Sequence, residues 1–150
     1  MANSYTSLFI HIIFSTHKRE RVLAPALRNR LWPYMGGIAR QNQFKAISIG
    51  GTLDHAHMLI SIPAAISVAK AVQLVKGGSS KWLRETISYF RNFGWQKGYA
   101  AFSISVSQVD EVAACIARQE EHHRVKTFQE EYLQFLKEYR IEYDERYIWG

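Results

Sequence analysis

Cysteine is almost absent: Cys115 is the only one in 150 residues, so no intrachain disulfide can staple the fold, and a reducing, cytoplasmic setting is expected. No run of eighteen apolar residues occurs, so a membrane-spanning helix is not expected, and the opening Met1-Ala-Asn-Ser-Tyr-Thr-Ser lacks the basic region and apolar core of a secretory leader. Internal repeats and low-complexity stretches are also missing, which sets aside solenoid architectures. What remains is a chain of 47% hydrophobic and 21% charged residues, long enough to bury its own core as one domain spanning residues 1–150.

Acidic residues are scarce in one part of the chain only. Residues 1–100 hold 13 basic side chains against 3 acidic ones, residues 101–150 hold 6 against 10, and the net charge is +6. A positive field over two thirds of a small protein suits a polyanion, because each neutralised phosphate releases condensed counterions. Nucleic acid is the leading partner, and a basic protein without a nucleic-acid role is the plain alternative. No segment pairs a basic helical face with a broad apolar one, so no membrane partner is expected.

Leu8, Ile10, Ile12 and Phe14 alternate within residues 5–15, which predicts a long buried strand. A basic loop from Thr16 to Arg21 precedes a helix over residues 25–42, with Pro25 in its first turn. Residues 44–49 and 56–62 read as two strands joined by Gly50-Gly51-Thr52-Leu53-Asp54, with Pro63 ending the second. Val68 to Ile87 is helical in pattern, and Gly77-Gly78-Ser79-Ser80 predicts a break within it. Residues 100–106 form a fourth strand, and residues 109–124 and 128–139 are helical, the last with Phe128, Tyr132, Phe135, Leu136 and Tyr139 on one side. This βαββαβ order predicts an α+β fold, a ferredoxin-like sandwich whose antiparallel sheet has one open face, with additional C-terminal helices.

The sharpest local feature is His55-Ala56-His57. In a strand, residues i and i+2 share a face, so both imidazoles project together and could share one metal ion. The opposite register, Ala56, Met58, Ile60 and Ile62, is apolar and suits the helix-packed side, which leaves the histidines on the open face. His11, among apolar residues of the first strand, reads as a hydrogen-bonded core histidine unless its register turns it to that same face.

The string Gly51-Thr-Leu-Asp-His-Ala-His-Met-Leu-Ile-Ser-Ile resembles the histidine-hydrophobic-histidine (HUH) signature of the single-tyrosine transposases of the insertion sequence 200/605 type, including the REP-associated ones. Other segments resemble that family in the same order. They are Ile10-His-Ile-Ile-Phe-Ser-Thr-His-Lys-Arg, Val75-Lys-Gly-Gly-Ser-Ser, Trp95-Gln-Lys-Gly-Tyr-Ala-Ala-Phe-Ser-Ile-Ser, Ile116-Ala-Arg-Gln-Glu-Glu-His-His-Arg and the ending Ile141-Glu-Tyr-Asp-Glu-Arg-Tyr-Ile-Trp. The resemblance implies cleavage and rejoining of single-stranded hairpin DNA. It implies a divalent metal, Mg or Mn, held by His55, His57 and Gln119 to polarise the scissile phosphate. It also implies a tyrosine one helical turn before that glutamine, which attacks to give a 5′-phosphotyrosine and a free 3′ hydroxyl. Finally it implies a homodimer in which the nucleophile helix of one subunit completes the metal site of the other.

At the nucleophile position this chain carries Cys115. The thiol ionises more readily than a phenol, with a reference pKa of about 8.5 against about 10, and a metal or Arg118 nearby would favour the thiolate. Reach is the obstacle: a tyrosine oxygen lies about 6.5 Å from its Cα and a cysteine sulfur about 2.8 Å, a shortfall far beyond what near-attack geometry tolerates. The expectation is impaired or lost cleavage with DNA binding retained. An active transposase with an unorthodox or relocated nucleophile, and a metal-binding or hydrolytic ferredoxin-like protein without a nucleic-acid role, stay open as alternatives.

Candidate DNA contacts are Lys18, Arg19 and Arg21 in the first loop, and Lys76, Lys81 and Arg84 around the expected helix break. At that break Ser79 and Ser80 would present donors at a helix start near a phosphate, with Trp82 beside a base or buried. His122 and His123 are candidates to extend the metal site, or to form a surface contact.

Overall fold

Among the residues described by the computed structural model, 4–119 and 127–149, four strands and four α-helices follow one another. They are β1 (Phe9–Ser15), α1 (Pro25–Gln41), β2 (Lys45–Gly51), β3 (His55–Ser61), α2 (Val68–Thr86), β4 (Ala100–Ile104), α3 (Val109–Ala117) and α4 (Phe128–Glu138). The strands form one antiparallel sheet in the order β2-β3-β1-β4. That is the order a βαββαβ chain takes when both helices cross the same face of the sheet. The fold is therefore the α+β sandwich that the alternation of elements predicts. No helix among the described residues is long and apolar enough to cross a membrane.

The helix-packed face follows from the period of two. Ile12 and Phe14 of β1, with Ala56, Met58 and Ile60 of β3, pack on Leu27, Leu31, Met35 and Ile38 of α1 and on Ala71, Val72, Val75 and Leu83 of α2. Pro25 opens α1, where its missing N–H costs nothing, and the Ser67 hydroxyl caps α2 by accepting from the Lys70 amide at 3.0 Å.

The break expected at Gly77-Gly78-Ser79-Ser80 does not occur, and α2 runs through it. Tertiary packing overrides the weak local propensity. A Cβ on Gly78 would lie 2.9 Å from Ile38 Cδ1, so the glycine lets α1 and α2 approach closely. Ser79, fully buried, donates back to the Val75 carbonyl at 2.6 Å and accepts the Trp95 indole N–H at 2.9 Å. Ser79→Ala would strand that buried indole donor, an expected loss of about 1–2 kcal/mol read as a lower urea midpoint.

The face that the βαββαβ unit leaves open is where the C-terminal helices settle. Val109, Val112, Ala113 and Ile116 of α3 cluster with Leu59, Ile104 and Ile47, and the Ser48 hydroxyl donates to the Ala113 carbonyl at 2.9 Å. Phe128, Tyr132, Phe135 and Leu136 of α4 pack on Ile13, Ala100 and Phe102. α3 ends at Ala117, where Arg118 leaves the helical region at φ −111°, ψ 32° and gives its N–H to the Cys115 carbonyl at 3.1 Å, and the rest of the helix expected as far as Arg124 falls, from residue 120 on, outside the described residues. His122 and His123 lie outside the described residues.

Candidate metal centre and basic groove

Strand alternation points His55, His57 and Leu59 away from the α1/α2 layer. β1 pairs antiparallel with β3, setting Ile13 opposite His57 and His11 opposite Leu59, so His11 is a diagonal neighbour of His57 on the same face. His11 Nε2 and His57 Nδ1 are 2.9 Å apart. The Nδ1 of His55 is 2.8 Å from Asp54 Oδ1 and 3.1 Å from Thr52 Oγ1. Both histidines are thus engaged at Nδ1, and on His57 the Nε2 lies 3.0 Å from Glu131 Oε1 on α4. One turn earlier, the Phe128 ring stacks on His55 at 4.3 Å. Exposure is 1% for His55, 0% for His57 and 4% for Glu131.

Two carboxyl and imidazole environments define the electrostatics. Burial, with the neighbouring His57 and against the pull of Glu131, lowers the His11 pKa to about 3. Which of the two rings donates in the His11 Nε2–His57 Nδ1 contact depends on the tautomer, and the other ring nitrogen of His57, Nε2, faces Glu131. Burial alone would raise the Asp54 carboxyl, but hydrogen bonds from His55 and Thr52 and the charges of His55 and Arg21 hold it below the usual carboxylate range.

Donor atoms of His55, His57 and Glu131 all lie within 4.8 Å of one another. Two imidazole nitrogens and a carboxylate oxygen are a donor set that suits a divalent ion of the Mn or Zn kind. Ring nitrogens braced from behind by a carboxylate and by another polar group are the usual support of histidine ligands. The residues present therefore fit a metal. Sequence reasoning placed the two histidines and missed Glu131, whose only signal is an acid standing among Phe128, Tyr132, Phe135 and Leu136 on the inward stripe of its helix.

Gln119, 3% exposed, follows the end of α3 and turns its amide nitrogen toward the Cys115 carbonyl at 3.5 Å. Cys115 is half-buried on α3. Burial pushes its thiol pKa up, Glu131 and Glu111 add to this, and Arg118 pulls the other way.

A cavity of about 830 Å³ opens beside His55, lined by Lys18, Arg19, Arg21 and Arg28, by Thr52 to His55, and by Thr127 to Gln129 at the start of α4. Backbone bonds from Thr16 to the Asp54 carbonyl at 2.8 Å and from Leu23 to the Leu53 carbonyl at 2.9 Å tie this basic loop to the turn that carries His55. Lys18 and Arg19 adopt left-handed φ values of 54° and 55°, a conformation costing about 1 kcal/mol each for a residue with a Cβ. The Thr16 hydroxyl, donating to the Glu20 carbonyl at 2.7 Å, and the Arg19 guanidinium, 5.6 Å over the Trp149 ring, hold the loop in that shape.

The second candidate set lies on α2, across the sheet from the histidines. Lys76 Nζ donates to the carbonyls of Gln96 at 2.6 Å, Lys97 at 3.4 Å and Gly98 at 2.9 Å, and burial lowers its pKa to about 8. Ser79 is buried as described, and Ser80 is buried with its hydroxyl on the Gly77 carbonyl at 3.2 Å. Without a helix start at that point, no backbone donors are offered there. Lys81 and Arg84 are exposed, Arg84 donating to the Phe93 carbonyl at 3.2 Å. Trp82 is part-buried and stacks on Tyr34 at 4.6 Å.

The profile of a family described as "Transposase IS200 like" matches residues 4–119. No curated protein matches the chain. Among solved structures, a candidate transposase from Deinococcus radiodurans superposes with a TM-score of 0.64 at 18% identity, over 78% of this chain and 96% of that one. A REP-associated tyrosine transposase bound to a REP hairpin superposes with a TM-score of 0.55 at 12% identity, over 77% of this chain and 68% of that one. At such identities the likeness is one of fold.

Proposed function

Because the chain belongs to the family of IS200-like transposases, we propose that it acts on DNA by holding a single-stranded hairpin at the histidine centre, and that cleavage through position 115 is lost. The observation that carries this reading is a pair of histidines, each braced at Nδ1, beside a groove walled by Lys18, Arg19 and Arg21. A solved neighbour bound to a REP hairpin supports hairpin DNA as the substrate class.

When bound, a divalent ion, Mg or Mn, would supply Lewis-acid polarisation of a DNA phosphate. His55 and His57 offer the imidazole donors, while Asp54 and His11 fix the orientation of the two rings. Lys18, Arg19 and Arg21 offset the charge of the strand that leads to them. Phe128 excludes water from one face of His55. At position 115 the sulfur is about 3.7 Å shorter in reach than a tyrosine oxygen. A cytoplasmic homodimer, with residues 1–150 as one domain, completes the reading.

Labelled single-stranded hairpin DNA, run on a denaturing gel after incubation with the protein and with Cys115→Tyr, tests it. The expected result is no covalent adduct from the natural protein and an adduct from Cys115→Tyr that Mg or Mn permits and a chelator prevents. A metal-dependent adduct from the natural protein, abolished by Cys115→Ala, would make the thiol the nucleophile and overturn the reading.

A further inference from the structure

We propose that Glu131 is the third protein ligand of the metal, so that the centre is completed within one chain by a helix outside the stretch matching the family profile, which ends at Gln119. This rests on the metal-dependent reading above and names the residue that finishes the site.

Placement is the first argument. Glu131 Oε1 is 3.0 Å from His57 Nε2, and the three donors of His55, His57 and Glu131 converge within 4.8 Å. Glu131 is 4% exposed on an apolar stripe, a burial that carboxylates rarely show unless paired or ligating, and the group it faces there is His57. Its position is built rather than incidental: Phe128 before it stacks on His55, and Tyr132 and Leu136 after it are anchored in the cluster with Ile13 and Phe102.

Orientation is the second argument. Asp54 and Thr52 engage His55 at Nδ1, and His11 engages His57 at Nδ1, so on His57 the remaining nitrogen is turned to the carboxylate of Glu131. Charge is the third. A carboxylate with two neutral imidazoles leaves a divalent ion with one residual positive charge, which a single DNA phosphodiester then neutralises, whereas an amide ligand would leave two. The two histidines, their supporting groups and the acid all belong to the same chain, on β1, the β2–β3 turn, β3 and α4.

Mn2+ binding to the full-length protein, followed by loss of the aqueous Mn2+ electron paramagnetic resonance signal, tests the assignment without reference to activity. Glu131→Gln, nearly isosteric, is expected to weaken Mn2+ binding at least about tenfold, Glu131→Asp to weaken it less at matched stability, and Gln119→Ala to change it by less than about threefold. The dissociation constant is expected to be independent of protein concentration, as a site made in one chain requires. Unchanged or tighter binding by Glu131→Gln, with binding lost in His57→Ala, would overturn the proposal and leave the metal reading standing, the acid then being a plug over the histidines. Loss in Gln119→Ala but not in Glu131→Gln would return the third ligand to Gln119. Wild-type binding by His57→Ala would overturn both readings together.

Discussion

Gly50→Ala is expected to destabilise the protein by about 3 kcal/mol, near the upper end of what overpacking usually costs. A Cβ at this position would run into the Ile116 carbonyl oxygen and lie 3.3 Å from Ile116 Cγ2. The obstacle is backbone, so no side chain can rotate out of the way, and α3 must lift off β2. That movement would carry Cys115 and Gln119 with it. The same substitution at Gly77 is expected to do the reverse. Gly77 is exposed within α2 and a Cβ there meets nothing within 4 Å, so alanine removes the entropic cost of a helical glycine and adds about 0.5–1 kcal/mol of stability. Urea midpoints of the two variants should move in opposite directions, and a Gly50→Ala midpoint equal to that of the natural protein would contradict the seating of α3 on β2.

A second large effect is expected in DNA affinity. Replacing Lys18, Arg19 and Arg21 together by alanine removes the charged wall of the groove beside His55. Three lost phosphate contacts should lower the slope of log affinity against log salt by about 2 and weaken binding at low salt by about a hundredfold. Replacing Lys81 and Arg84, which lie on the helix layer across the sheet, should leave both quantities nearly unchanged. Fluorescence anisotropy of a labelled single-stranded hairpin over a salt series measures the two sets side by side, and an equal loss from the α2 pair would route the strand over the helices instead.

Periodicity carried most of the fold. The alternation of Ile10, Ile12 and Phe14, and of Ala56, Met58 and Ile60, assigns each side chain to a face of the sheet with no further information, and the two histidines follow from the same count. Periodicity could not see contacts made across long stretches of chain. Local propensity at Gly77-Gly78-Ser79-Ser80 favoured a break, yet Ile38 filling the space above Gly78 and the Trp95 indole on Ser79 keep the helix whole. The three carbonyl partners of Lys76, at residues 96 to 98, come from a different loop and leave no local sign in the sequence. His11 as the brace of His57 depends on a pairing between residues 46 apart in sequence. Glu131 was hidden by its neighbours, since a helix stripe of aromatic residues reads as core whether or not an acid stands in it.

The spread of the centre along the chain bears on how it comes into being during synthesis. His11, His55 and His57 leave the ribosome early, whereas Glu131 belongs to the last fifth of the sequence. At about 5–20 residues per second, a nascent chain displays the histidine pair for on the order of ten seconds before its acidic partner exists. During that interval the growing polypeptide owns only the two imidazole nitrogens of a three-donor set, with Phe128 not yet present to cover His55. Full chelating strength arrives only once α4 has been made, so strong capture of an ion would follow the synthesis of that helix.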